Sequence, residues 1–240
     1  MRVLRSELIK HKHTWVVPLM LLGPFGVILM GVIDFGVRLE AFQKEFARGD
    51  AWATVMGEMG MLDAAAIALG VGLLCSLVFD VDHRSIAWKQ LFALPVSRAG
   101  VYLSKLGVVM GLLLVASVLA AAGLLGMWLW LGLGAIPWMR LAQFAFVPWL
   151  CMFPLVAFQG LLSAHIRNQA IALTFGVAGV VAALFGEAIP RWMPWAPPVD
   201  SMTWLSGGPG DIWQILGYAF VTSAVLSAGG AIAFARRDVE

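Results

Sequence analysis

The sequence predicts an all-α, polytopic membrane protein. Of its 240 residues, 61% are hydrophobic and only 12% are charged, whereas a soluble domain is about 45–50% apolar and about 25% charged. The apolar residues also fall into runs of a length that crosses a bilayer as a helix, about 20 residues. A water-soluble globule is therefore excluded, and the segments between the runs are too short to fold as an independent soluble domain.

Six apolar runs predict six transmembrane helices within one membrane domain that occupies residues 1–240. We expect these helices at residues 15–33, 64–79, 106–133, 144–164, 170–188 and 212–235. The first run follows basic residues, as a signal peptide would, but it is longer than the apolar region of a signal peptide and no small-residue cleavage site follows it. We therefore interpret it as a permanent helix.

The distribution of Lys and Arg predicts that both ends of the chain are cytoplasmic, because cytoplasmic segments retain basic residues. With this orientation, the inner segments carry eleven basic residues and the outer segments five. The inner residues are Arg2, Arg5, Lys10, Lys12, Arg84, Lys89, Arg98, Lys105, Arg167, Arg236 and Arg237. The outer residues are Arg38, Lys44, Arg48, Arg140 and Arg191. Residues 1–13 then form an interfacial helix, 80–105 a cytoplasmic loop and 190–211 an outer loop. The net charge of +2 is too small to indicate a nucleic-acid partner.

The loop at 80–105 contains a predicted short amphipathic helix. Its large apolar residues fall broadly on one side, Arg84 and Lys89 face elsewhere, and Pro95 ends the helix. A helix of this kind either binds a partner protein or rests on lipid headgroups, which also favour Trp and basic side chains. Periodicity alone leaves both interpretations open.

The same loop resembles the cytoplasmic loop of type-2 ABC exporter permeases. The resemblance is carried by an acidic and then a basic residue before Ala87-Trp88-Lys89, by Leu94-Pro95-Val96-Ser97-Arg98, and by Tyr102-Leu-x-Lys105. The segment Leu4-Arg-Ser-Glu-Leu-Ile-Lys10 is similar to the N-terminal interfacial helix of that family. The most similar branch confers lantibiotic immunity or bacitracin resistance, although Ser85-Ile86 and Ala87 stand where many members have Gly-Thr.

This resemblance implies a coupling helix that docks on a separate ABC ATPase subunit. The residues assigned to it are Arg84, Ser85, Ile86, Trp88, Lys89, Leu91, Phe92 and Leu94. It further implies a permease subunit of the plasma membrane that pairs with a second copy or a sister permease, contacts membrane lipids, and moves an amphipathic substrate such as an antimicrobial peptide, a lipid-linked antibiotic or a lipid. A haem-exporter-like B subunit of cytochrome c maturation and a passive membrane-interaction protein are the alternatives.

The chain itself is expected to bind no cofactor and to catalyse no reaction, so that ATP and Mg belong to the partner subunit. It has no Gly-x-x-x-x-Gly-Lys-Ser/Thr motif, and the sequence Leu-Ser-Gly-Gly-Pro at 205–209, which copies part of an ATPase signature, falls in a predicted outer loop. No His-Glu-x-x-His motif or acid–base pair indicates a protease. No metal site is expected, although the methionines near residue 56 could offer thioethers to Cu(I).

A candidate substrate path follows the outer side, where aromatic and thioether side chains collect. It comprises Trp192, Trp195, Met56, Met59 and Glu187. A belt of Trp at headgroup level is the alternative. Glu58 and Asp63 are expected near the outer ends of helices, where water reaches them. Gly107-x-x-x-Gly111 indicates close helix packing, either within the subunit or at a dimer interface.

Overall fold

The structure is a computed structural model that describes residues 16–47, 49–84, 97–166, 168–184 and 190–236. Every regular element in these ranges is an α-helix, which confirms the all-α prediction. The helices are α1 (Val16–Val37), α2 (Leu39–Phe46), α3 (Ala51–Arg84), α4 (Arg98–Trp130), α5 (Trp138–Cys151), α6 (Phe153–His165), α7 (Gln169–Leu184), α8 (Ala196–Leu205) and α9 (Ile212–Ala235).

Five segments of the described residues are long and apolar enough to cross a membrane. They are Val16–Val37, Ala51–Asp80, Arg98–Trp130, Trp138–His165 and Ile212–Ala235. These segments agree with a polytopic membrane protein, because each is at least as long as the roughly 20 residues that cross a bilayer as a helix. The sixth predicted span, 170–188, begins as α7, whose apolar part Ala170–Gly179 is shorter than a full crossing. Six spans therefore stay a prediction.

Two predicted helix starts are wrong by several residues. Helix α3 begins at Ala51 rather than at residue 64, and α4 begins at Arg98 rather than at residue 106. The Ser97 Oγ atom accepts a hydrogen bond from the Gly100 backbone N–H and so caps α4. Hydropathy marks only the apolar part of a helix, whereas the backbone hydrogen bonds of α3 continue through polar residues for 34 residues, about 51 Å.

Two further segments differ from their predicted structures, which are a continuous span at 144–164 and an outer loop at 190–211. The fourth membrane segment is interrupted at Met152, between α5 and α6. Pro154 lies in the first turn of α6 and has no backbone N–H to continue the helical ladder of α5. The predicted outer loop at 190–211 contains α8, which begins at Ala196 and packs on α3, α5 and α9.

Helix α3 is the centre of the bundle, and it contacts α1, α4, α6, α7 and α8. Its closest crossing is with α7, where Gly72 and Gly176 leave no room for a side chain between the two backbones. Two apolar clusters fill the bundle, one around Trp52 and one around Tyr102. We call them the Trp52 cluster and the Tyr102 cluster.

Candidate functional site

The segment assigned to the ATPase contact is flanked by two long helices. Residues 85–94 lie outside the described residues, so the roles of Ser85, Ile86, Trp88, Lys89, Leu91, Phe92 and Leu94 stay predictions. Arg84 is the last residue of α3, and α4 begins at Arg98. Helices α3 and α4 therefore flank this segment on its two sides.

The Tyr102 cluster holds the ends of these two helices together. The Tyr102 ring lies 6.0 Å from the ring of Phe79 on α3 and 5.8 Å from the ring of Phe234 on α9. Lys105 is fully buried, and its Nζ atom donates to the backbone carbonyl of Val78 at 3.2 Å. The sequence predicts that Lys105 is a basic residue of the cytoplasmic loop, but in the structure its ammonium group joins α4 to α3. These contacts join α4 to α3 next to residues 84–94, which we call the coupling segment.

The Trp52 cluster lies at the opposite end of α3 and contains two residues of the predicted substrate path. Met56 and Met59 are each 1% exposed within it. Trp52 packs against Trp128 with ring centroids 6.1 Å apart, and its Nε1 atom donates to the Leu205 carbonyl at 2.9 Å. The two methionines are therefore packed in the core and not on an outer rim, and a role in a substrate path stays a prediction.

The other predicted path residues have different environments. Trp192 is 65% exposed. Trp195 is half-buried, with its ring edge-on to that of Phe158 at 5.1 Å and close against Gly179. Glu187 lies outside the described residues. Of the predicted path residues that the structure describes, only Trp192 is mostly exposed.

Exposed ion pairs fix the helix ends beside the Trp52 cluster. Arg140 on α5 pairs with Asp50, and this hydrogen bond from Arg140 holds the pKa of the Asp50 carboxyl below its usual range. Asp50 also caps α3, because its Oδ1 atom accepts from the Trp52 backbone N–H at 3.0 Å. Arg38 lies 3.4 Å from both Asp34 and Glu58. These contacts tie α1, α3 and α5 together.

Asp63 lies deep inside the bundle, contrary to the expectation that it is hydrated near a helix end. It follows Ala51 by twelve residues of α3, about 18 Å along the axis. Its side chain is 6% exposed, and the Oδ2 atom is buried without a hydrogen-bond partner among the described residues. Glu58 keeps its exposed position and its ion pair with Arg38. The different burial of Asp63 and Glu58 is not predicted, because the predicted helix starts at residue 64 and α3 starts at Ala51.

Asp63 lines a cavity of about 90 Å³ between α1, α3, α4, α5 and α8. Apart from Asp63 and Ser117, its walls are apolar or glycine. Met202 of α8 lies at this cavity and also packs beside Gly60. Gly23 on α1 is exposed at the bundle surface and lines the cavity as well. The cavity therefore reaches the surface of the bundle at α1.

Two helix-interior prolines also line the cavity. Pro24 is inside α1 and Pro148 is inside α5. A proline lacks the N–H that would bond to the carbonyl four residues earlier. Those carbonyls belong to Met20 and Phe144, and both residues line the same cavity. The polar side chains that line this site are the carboxyl group of Asp63 and the hydroxyl group of Ser117, set in apolar walls.

Comparison with protein families matches residues 3–183 to the description "ABC-2 family transporter protein". This range covers about three quarters of the chain. The chain belongs to the ABC-2 transporter family. Comparisons with curated proteins and with solved structures found no significant match.

Membership of the ABC-2 family makes this protein a membrane-embedded permease subunit of an ABC transporter, and it implies an ABC ATPase partner in general. The matched range includes the coupling segment, the Asp63 position and most of α7, and it ends before α8 and α9. The predicted type-2 ABC permease is thereby confirmed at the level of the family, and the lantibiotic-immunity or bacitracin-resistance branch stays a prediction.

Proposed function

We propose that this ABC-2 subunit exports an amphipathic substrate, such as an antimicrobial peptide, a lipid-linked antibiotic or a lipid, from the plasma membrane. ATP and Mg act on the partner ATPase, which docks on residues 84–94, and both termini of the permease are cytoplasmic. The observation that carries the proposal is the family match over residues 3–183. It is supported by the largely apolar cavity at Asp63, which reaches the surface of the bundle at Gly23.

The proposed mechanism uses α3 and α4 as levers. Both helices begin or end beside the coupling segment, and both line the cavity, through Asp63 on α3 and Ser117 on α4. The buried contact of Lys105 with Val78 makes the two helix ends move together. Closure of the ATPase dimer would push the coupling helix, and rigid-body movement of α3 and α4 would change the shape of the cavity about 30 Å away.

We further propose that two permease subunits pair, either as two copies or with a sister subunit. One face of α4 supports this pairing. Gly107 and Gly111 are exposed at a spacing of four residues, between Leu103 and Val115, which are 47% and 48% exposed. A Cβ atom on Gly111 would meet no atom within 4 Å among the described residues, so two such faces have room to approach closely.

The coupling helix is tested by Trp88→Ala in the tagged full-length chain, with Trp138→Ala as the matched control. Trp138 is 65% exposed at the N-terminus of α5 and lies outside the coupling segment. A large apolar side chain on a short cytoplasmic helix is a typical anchor of a protein contact. We expect Trp88→Ala to reduce ATPase recovery in mild detergent at least about tenfold, a loss of about 1.4 kcal/mol or more, and to reduce transport with it.

Unchanged ATPase recovery with Trp88→Ala would overturn the assignment of the coupling helix. In that case the helix would rest on lipid, and the variant would alter only the partitioning of the isolated loop peptide into vesicles. An equal loss with Trp138→Ala would show that the effect does not depend on the coupling segment.

A further inference from the structure

The cavity at Asp63 has acceptor groups and an apolar wall but no donor that carries positive charge among its lining residues. We propose that it binds the ammonium group of an amphipathic amine, with the amine paired to the Asp63 carboxylate. This proposal rests on the proposed export function, since it names the chemical class of the exported molecule.

The first reason is the uncompensated carboxyl group. Asp63 is 6% exposed, and its Oδ2 atom has no hydrogen-bond partner among the described residues. An isolated ionised carboxylate is strongly unfavourable in apolar surroundings, and such groups inside a membrane are rare unless they serve a function. A cation that enters the cavity and pairs with Asp63 offsets part of this penalty.

The second reason is the set of backbone acceptors. Because Pro24 and Pro148 have no N–H, the carbonyls of Met20 and Phe144 lack their helical donors. All four residues line the cavity. A primary ammonium group has three N–H donors, so it can bond to the carboxylate and still satisfy other acceptors.

The third reason is the size and polarity of the space. A cavity of about 90 Å³ is well above the roughly 10–15 Å³ of accessible volume that one water molecule needs, so it has room for an amine headgroup. An apolar groove of about 440 Å³ lies beside it between α1 and α4 and shares Pro24 with it. The hydrocarbon tail of an amphipathic amine would occupy that groove.

These walls favour an amine over an inorganic cation. Hard inorganic cations take about six or more oxygen ligands, whereas the two carboxyl oxygens of Asp63, the Ser117 hydroxyl and the carbonyls of Met20 and Phe144 are five oxygen atoms even if all of them are counted. The remaining lining is apolar or glycine, which suits the methylene groups next to an ammonium nitrogen. An amphipathic molecule therefore matches both the carboxylate and the wall.

The test measures binding of decylamine to the purified full-length protein in nanodiscs, read as the shift of the thermal midpoint at neutral pH. Decanol is the neutral ligand of equal chain length. Asp63→Asn keeps the shape of the side chain and removes its charge. Glu58→Gln is the matched control, because it removes an acid from the same helix at a site 39% exposed and outside the cavity.

We expect decylamine to stabilise the wild type and Glu58→Gln equally, and Asp63→Asn to bind it at least about tenfold more weakly, as for other hydrogen bonds to charged groups. Decanol should not distinguish the three proteins. Gly70→Leu provides a second variant: Gly70 lines the cavity and a Cβ there meets no atom within 4 Å, so a larger side chain fills the space while Asp63 stays in place. It should weaken decylamine binding to a similar extent.

Equal binding of decylamine to the wild type and Asp63→Asn would overturn the proposal, as would equal stabilisation of the wild type by decylamine and decanol. Equal stabilisation by sodium or potassium chloride at the concentration of the amine would identify an inorganic-cation site and would also overturn it. No ATPase is present in this assay. Its failure therefore leaves the coupling proposal standing, and a failed Trp88→Ala test leaves the amine site standing.

Discussion

Gly72 of α3 and Gly176 of α7 lie so close that a Cβ atom on Gly72 would stand 3.0 Å from the Cα atom of Gly176. The contact is between backbones, so a methyl group is accommodated only if the helices separate. Gln159 of α6 closes the same crossing, since its Nε2 atom donates to the Ala172 carbonyl on α7. This crossing fixes α7 against the central helix.

The first prediction concerns this crossing. Gly72→Ala should lower the free energy of unfolding by about 1–3 kcal/mol, as overpacking does elsewhere. Gly57→Ala on the same helix should be neutral or stabilising by up to about 1 kcal/mol, because a Cβ at Gly57 meets no atom within 4 Å. Thermal unfolding in detergent compares the two variants. Equal stability of both would show that α3 and α7 are not in close contact.

The helical class and the approximate course of the membrane helices could be predicted from the sequence because apolar runs of this length have few other uses. The start of α3 could not be predicted from the sequence. Glu58 and Asp63 make the first part of α3 polar, and its helical structure depends on packing against α1, α2 and α8, which no local pattern reveals. The late predicted start also concealed the depth of Asp63.

Candidate site residues were harder to predict than the helices. The methionines Met56 and Met59 were placed on an outer surface, but they pack in the Trp52 cluster because α2 and α8 cover that end of α3. The cavity at Asp63 depends on side chains from five helices that are distant in sequence. A prediction from one chain segment at a time cannot bring them together.

The second prediction concerns the ion pair between Asp50 and Arg140. Folding lowers the pKa of Asp50 through the hydrogen bond from Arg140, so the pair contributes stability above the unfolded pKa of about 4 and loses it as the pH falls through the folded pKa. Both side chains are about half exposed, so Arg140→Gln should cost less than about 1 kcal/mol at neutral pH. Unfolding measured over a range of pH should show this difference disappear in acid. A difference that persists there would indicate lost packing and not lost charge.

The third prediction separates two tryptophans of the candidate substrate path. Trp195 packs on Phe158 and Gly179, so Trp195→Ala should lower the yield of folded protein, with a stability loss of up to about 3 kcal/mol. Trp192 is exposed, and Trp192→Ala should change stability by no more than about 0.5 kcal/mol.

Transport or resistance is measured on the same variants, with Trp192→Phe as the conservative control. If Trp192 contacts the substrate, Trp192→Ala should reduce transport at unchanged yield. Full transport with Trp192→Ala would show that Trp192 does not contact the substrate and that its role is in the headgroup belt.

The fourth prediction concerns orientation. A membrane-impermeant thiol reagent applied to intact cells should label Gly49→Cys and not Ser97→Cys, because the positive-inside distribution places residue 97 in the cytoplasm. Both positions are exposed. The native Cys75 and Cys151 are buried, so labelling of the parent chain should be low. External labelling of Ser97→Cys would reverse the orientation and remove the coupling segment from the side where ATP is present.

The central claim is that α3 and α4 transmit ATPase movement to the cavity at Asp63, and a cysteine in the cavity tests it most directly. Ser117→Cys is introduced on α4, where Ser117 lines the cavity, and its rate of thiol modification is measured in the complex with the ATPase, with and without ATP. We predict a rate change of about threefold or more on addition of ATP, equivalent to about 0.7 kcal/mol, and no such change when Trp88→Ala is also present. An unchanged rate in a complex that hydrolyses ATP would contradict the account.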